Sequence, residues 1–224
     1  MTNTMKTIIF IVSLFVFIFF FIFISFIMSP GALVNSPYAA LTAGILYMSG
    51  YIIALYSQAL IKYLYVRNRL KTANIIKTFP VSSFSVRDRL IIMILPLLAV
   101  ILPIVQKRAF TAESLKALIY VVVLALIIEL LYYLNKRTLK AYVTDKGIAV
   151  NGIDFRLELS IPFSYSDAAG FYPYERIENY LALNDQIIIY QTYDFGTITI
   201  KCSGEDVRQI KGLLVSKKIP ERSY

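Results

Sequence analysis

Apolar residues run almost unbroken through four stretches of the chain, residues 7–28, 38–61, 90–105 and 115–134, and then the pattern changes. Beyond residue 137 apolar and polar positions alternate over short segments separated by Gly, Pro, Asn and Asp. Long continuous runs predict membrane-spanning helices, whereas alternation with a period of two predicts half-buried strands. The chain therefore divides into a helical membrane region, 1–137, and a C-terminal β-rich domain, 138–224.

The first run holds 22 residues and no charge. As a helix it is about 33 Å long, enough to cross a hydrocarbon core of about 30 Å. It exceeds the roughly 7–15 apolar residues of a secretory signal, so it reads as a retained span ended by Ser29-Pro30-Gly31. The second run carries small residues Ala43, Gly50 and Ser57 at intervals of seven, beside a polar stripe of Tyr47, Tyr51, Gln58 and Lys62. Small residues let helices approach closely in lipid, and polar side chains bond across helices. The third run is shorter, with Pro96 and Pro103, and reads as a kinked span or a re-entrant segment. The fourth ends in Asn135-Lys136-Arg137 and contains Glu129, the one carboxylate within the four runs. An ionisable residue inside a span is a functional hypothesis by default. Glu129, Gln58, Lys62 and Tyr51 are accordingly the candidate intramembrane contacts, with Glu129 expected to snorkel or to pair with Lys62 or Gln58.

Between the second and third runs, residues 63–89 interleave Leu70, Ile75, Ile76 and Phe79 with basic side chains. Such a segment suits either an ordinary loop or one lying on anionic headgroups. Arg67, Arg69, Lys71 and Lys77 are the candidate headgroup contacts.

In the tail, residues 139–144 and 148–151 read as a hairpin around Asp145-Lys146-Gly147, with Gly147 suited to positive φ. Phe155, Leu157, Leu159 and Ile161 alternate with polar residues and predict a further strand. Strands also follow around Phe171, over 180–183, and through QIIIYQTY and GTITIKC, with Asn184-Asp185 and Asp194-Phe195-Gly196 as turns. The period then becomes helical: Ser203 is a good N-cap, Asp206 stands three residues on, and Val207, Ile210 and Leu214 share one face. A helix over 204–217 is predicted, with Pro220 beyond it.

The hairpin YVTDKGIAVNG, the segment FRLELSIPFSYSDAAGF and the closing ITIKCSGEDVRQIKGLL resemble bacterial pleckstrin-homology-like domains. Ile161-Pro162-Phe163 matches the family pattern, while Ala168 or Ala169 stands where a larger apolar residue is usual. The resemblance covers residues 138–217. It implies about seven antiparallel strands in two sheets, capped by one C-terminal helix, and a binding or scaffolding role. Some membrane-tethered members resemble bacteriocin-immunity proteins, which supplies a lesser alternative.

Charge sharpens the picture. The net charge is +9, yet residues 1–137 carry thirteen Lys and Arg against three acids, and residues 138–224 carry ten against eleven. The basic excess lies with the helices, where it sets topology, and not on a folded domain that would bind nucleic acid. Four crossings put the N-terminus and the tail on one side with eleven basic residues, against three on the other (Lys107, Arg108 and Lys116). That predicts a multi-pass protein of the cell membrane with both ends cytoplasmic.

The chain has no histidine and one cysteine, Cys202. This removes His-based acid–base chemistry, internal disulfides and the usual zinc ligand sets. No catalytic residue, metal site or cofactor is expected. The expected function is a non-catalytic membrane protein whose domain binds a protein, the bilayer or a second copy of itself. A small oligomeric transporter or channel using Glu129 and the second span is the alternative from another class. A lipid-directed enzyme around Glu175, Arg176 and Glu178 is weaker, because no nucleophile or acid–base pair accompanies them.

Overall fold

The computed structural model describes residues 3–27, 39–81, 90, 92–94, 112–156, 168–192 and 196–222. Three long helices come from the apolar runs: α1 (Asn3–Ile27), α2 (Ala39–Leu70) and α3 (Ala112–Thr138). Within α1, Met5–Ile27 is the one described segment long and apolar enough, by length and composition, to cross a membrane. Its apolar side chains are exposed on most sides, up to 91% at Phe26. α1 packs on α2 where Gly50 has no Cβ: a Cβ there would stand 2.8 Å from the Phe21 ring. The stripe of small residues thus acts at Gly50 as a packing device. Of the third run only Leu90 and residues 92–94 are described, and these are helical; whether 90–105 spans lies outside the described residues.

α2 differs from expectation in length. It does not stop at Ile61 but continues to Leu70, making 32 residues, or about 48 Å. A charge at position 62 ends an apolar run without ending a helix, because Lys has good helix propensity and its local cost is repaid by a partner. Beyond its end at Leu70 the chain turns, and Thr72 Oγ1 donates to Arg69 O at 2.9 Å.

Residues 75–80 depart from the sequence expectation of a loop, either ordinary or lying on anionic headgroups. They form β1 (Ile75–Pro80), the edge strand of a four-stranded antiparallel sheet completed by β2 (Lys140–Thr144), β3 (Gly147–Asn151) and β4 (Gly170–Pro173). The domain therefore begins upstream of residue 138, and the segment 81–139 is inserted between two hydrogen-bonded neighbours, Pro80 facing Lys140. A second antiparallel sheet contains β5 (Ile177–Ala182), β6 (Gln186–Gln191) and β7 (Thr197–Lys201). A bridge between Val81 and Ile200 joins the first strand to the last.

Seven strands are present among the described residues, one of them β1. The strand expected from Phe155 onward is not continued there: residues 153–156 leave the sheet, and residues 157–167, with the Ile161-Pro162-Phe163 match, lie outside the described residues. The Asp194-Phe195 turn also lies outside them.

Alternation builds the core. Ala141 and Val143 of β2, Ile187 and Ile189 of β6, and Ile198 and Ile200 of β7 all point into one cluster. α4 (Gly204–Ser216) covers it with Val207, Ile210 and Leu214. Ser203 caps α4, its Oγ accepting from Asp206 N. The chain then returns beside β5, where Tyr180 N donates to Pro220 O at 3.1 Å and Arg222 N to Tyr180 O at 2.7 Å.

At the β2–β3 turn, Thr144 Oγ1 donates to Gly147 O at 2.7 Å and accepts from Gly147 N at 3.1 Å. Gly147 is not among the described positive-φ residues, contrary to expectation. It is glycine because β4 passes close: a Cβ would meet Tyr172 O at 2.4 Å.

β3 is buried at every position. Ile148 and Val150 face the core, while Ala149 packs with Val66 and Leu70 at the far end of α2. The extra length of α2 thus lies on the outer face of the sheet, and the small side chain at 149 lets it approach.

Candidate functional site

Where α2 meets the β domain, three charged side chains are removed from solvent. Lys62 and Asp154 are both 0% exposed and Arg156 is 2% exposed. Arg156 Nε donates to Asp154 Oδ1 at 2.9 Å, and Lys62 Nζ lies 3.5 Å from Asp154 Oδ2. Lys62 Nζ also donates to Arg156 O at 2.9 Å, and Ala169 N donates to Asp154 Oδ2 at 2.9 Å. One carboxylate thus serves two cations and a backbone amide, with Arg156 N as a further donor at 3.2 Å.

Buried charges are tolerable only when paired and hydrogen-bonded. Burial pushes the Asp154 carboxyl up, but the Arg156 and Lys62 charges and the hydrogen bonds from Arg156 and Ala169 outweigh it. The net result holds Asp154 ionised, below the usual carboxylate range.

The backbone that carries Asp154 is fixed by the end of α3. Asn135 Nδ2 donates to Ile153 O at 3.0 Å, and Ile153 N donates to Thr138 Oγ1 at 3.0 Å. Gly152 permits the approach, since a Cβ would meet Thr138 O at 2.5 Å and its φ is +154°. Phe155, between the two charged residues, joins an apolar cluster with Leu55 and Ala59 of α2 and Leu124 and Ile128 of α3. Residues 153–156 form a wedge set between the two helices, with an aromatic tip and a charged base.

The predicted residues fall into two groups. Tyr51, Gln58 and Lys62 do share the buried side of α2, as their 4- and 7-residue spacing requires. Tyr51 OH donates to Ile92 O at 2.8 Å. Gln58 is 1% exposed, and its Nε2 lacks a hydrogen-bond partner among the described residues. Glu129 lies on the exposed side of α3. Arg67 stacks on Tyr63 and Arg69 on Tyr65, each 5.8 Å from the ring centroid, and Lys71 is exposed. Lys77 stands in β1 and pairs with Asp206 at the start of α4. Among the described residues no group of three or more His, Cys, Asp or Glu is placed to hold a metal.

The sequence pattern does not mark Asp154, and Arg156 enters it as one of the polar positions alternating with Phe155 and Leu157. Lys62 held the available signal: a cation at the end of an apolar run demands an anion, and Asp154 answers it from the polar domain.

An unpaired buried amide costs about 1–3 kcal/mol. Gln58→Leu is therefore expected to leave expression intact and raise thermal stability by about 1 kcal/mol. A loss of stability in detergent melts would show that Gln58 makes a bond that matters.

The chain matches no known family, no curated protein and no solved structure.

Proposed function

We propose that this chain is a multi-pass membrane protein with four crossings. Its cytoplasmic, non-catalytic interaction module is a pleckstrin-homology-like fold, interrupted after its first strand by a helical hairpin and held on its own helices. The carrying observation is the buried Lys62–Asp154–Arg156 cluster, which ties the module to α2. A module meant to swing on a tether would not bury charges at its root.

Topology supports the crossings. β1 and β2 are hydrogen-bonded neighbours, so the chain between them leaves and returns on one side of the bilayer. The number of crossings between them is therefore even. If α3 spans, a second crossing lies between β1 and β2, and the re-entrant alternative is disfavoured. α2 and α3 expose Ile53, Leu60, Leu64, Val122, Leu126 and Leu130, as befits helices solvated by lipid. The side that holds the β domain also holds most of the basic residues, which favours the cytoplasm.

A transport path along Glu129 and the polar stripe of α2 fits less well. Glu129 is on the exposed side of α3, whereas Tyr51, Gln58 and Lys62 are on the buried side of α2. What the module recognises is a protein partner or a second copy: the two-sheet fold and capping helix supply surface, and the described residues bring together no reactive constellation.

A reporter active only in the cytoplasm, fused after Tyr224, is expected to work, and in-cell crosslinking of the intact chain is expected to trap a protein partner or a homo-oligomer. A silent fusion would overturn the sidedness. A Glu129→Gln variant that kept expression but lost the cellular phenotype would favour transport instead.

A further inference from the structure

A cleft of about 500 Å³ opens where the helices meet the β domain, apart from the buried charge cluster. The outer side of α2 forms one wall through Tyr56, Leu60 and Tyr63, and β2 contributes Lys140 and Tyr142. Arg137, at the end of α3, completes the parts that matter for recognition.

The lining has three properties. It carries two cations, Arg137 and Lys140, and no acid. Asn151 lines it as a nearly closed residue: it is 6% exposed, and its Oδ1 is shut off from solvent, with no hydrogen-bond partner among the described residues. Its α2 wall is amphiphilic, with Leu60 and Tyr56 both outward-facing and continuous with the exposed apolar Ile53 one turn further along. Burial, with Tyr63 adding to it, pushes the Tyr142 phenol above its ordinary value, so it stays an O–H donor at neutral pH.

We propose that this cleft holds the headgroup of a single anionic glycerophospholipid. The phosphate sits between Arg137 and Lys140, and an acyl chain runs along Leu60 and Tyr56. The proposal rests on the multi-pass reading, which puts this turn of α2 at headgroup level. Phosphatidylglycerol satisfies both requirements: a net negative charge on its phosphate and acyl chains for the apolar wall. Phosphatidylcholine brings no net charge to the two cations, and a free phosphate ester leaves the apolar wall uncovered. The site differs from the surface cations Arg69 and Lys71, which would meet a membrane only as diffuse charge.

The test uses the full-length chain. Membranes are first washed with carbonate, and release of the chain would overturn the multi-pass reading and this inference with it. Retained protein is exchanged into nanodiscs of phosphatidylcholine doped with phosphatidylglycerol or phosphatidylethanolamine, and co-purifying lipid is measured by native mass spectrometry. Phosphatidylglycerol is expected at one molecule per chain. Arg137→Gln with Lys140→Gln is expected to weaken its retention roughly thirtyfold, the effect of losing two interfacial cations. Arg69→Gln with Lys71→Gln is expected to change retention little. Equal retention of all three lipids, or an unchanged Arg137/Lys140 variant, overturns the cleft while leaving the multi-pass reading in place. Thermal stabilisation by soluble glycerol phosphate equal to that by the lipid would overturn the lipid assignment.

Discussion

Replacing Asp154 with alanine is expected to destabilise the full-length chain by about 3–5 kcal/mol, the cost of stranding buried charge. For a chain of this size that is a fall of about 6–20 °C in the thermal midpoint. The direction of the asymmetry matters more than the size. Asp154 is the carboxylate that Lys62 and Arg156 share, so its removal takes the same counter-charge from two buried cations. Lys62→Met leaves Asp154 with Arg156 and should cost clearly less. In a Lys62→Met background, Asp154→Ala should also cost less than it does alone, because one fewer cation loses that counter-charge. Equal, additive losses would mean that the three charges do not act as a cluster.

The same carboxylate sets an acid limit. Its folded pKa lies below its ordinary value of 3.8, so the unfolded chain takes up the proton first. The stabilisation is complete at neutral pH. It begins to fall as the pH drops through 3.8 and continues to fall toward the lowered folded value. Acid titration of the thermal midpoint should show this loss in the parent and a flatter profile in Asp154→Ala.

Phe155→Ala is the second large effect, about 3–5 kcal/mol for emptying the aromatic tip of the wedge. Phe155 is 1% exposed and shares its cluster with α2 and α3, not with the β core. The loss should therefore be local. Hydrogen exchange should accelerate over residues 153–156 and the facing turns of α2 and α3. β6 and β7, whose Ile187, Ile189, Ile198 and Ile200 belong to the separate β core, should keep their protection. Uniform acceleration across both regions would mean that the wedge is part of one global core.

Periodicity made the strongly patterned elements readable. α1 is uniformly apolar, the β2–β3 hairpin turns on Asp145-Lys146-Gly147, and α4 follows Ser203 with an apolar residue every three or four positions. β1 was hidden because its sequence does not alternate usefully: of its six residues only Phe79 is buried, so an edge strand looks like a basic loop. The extension of α2 was hidden by Lys62, which reads as the end of a span because its compensating carboxylate is 92 positions away in the sequence. Asp154 and Arg156 were hidden for the same reason, since a local polar pattern cannot reveal a burial created by tertiary contact. The return of residues 219–222 along β5 carries no sequence signal beyond a buried Ile219.

The central claim is that helices and β domain form one body, with the last turns of α2 lying on β3. Cysteines placed at Val66 and Ala149, in a Cys202→Ser background, test it within intact membranes. Mild oxidation followed by peptide mass spectrometry should recover the 66–149 linked pair in good yield. The control pair at Leu64 and Ala149, with Leu64 on the exposed side of α2, should give little. No linkage at 66–149, or equal linkage in both pairs, would mean that the domain moves freely beside its helices and that the docked arrangement is wrong.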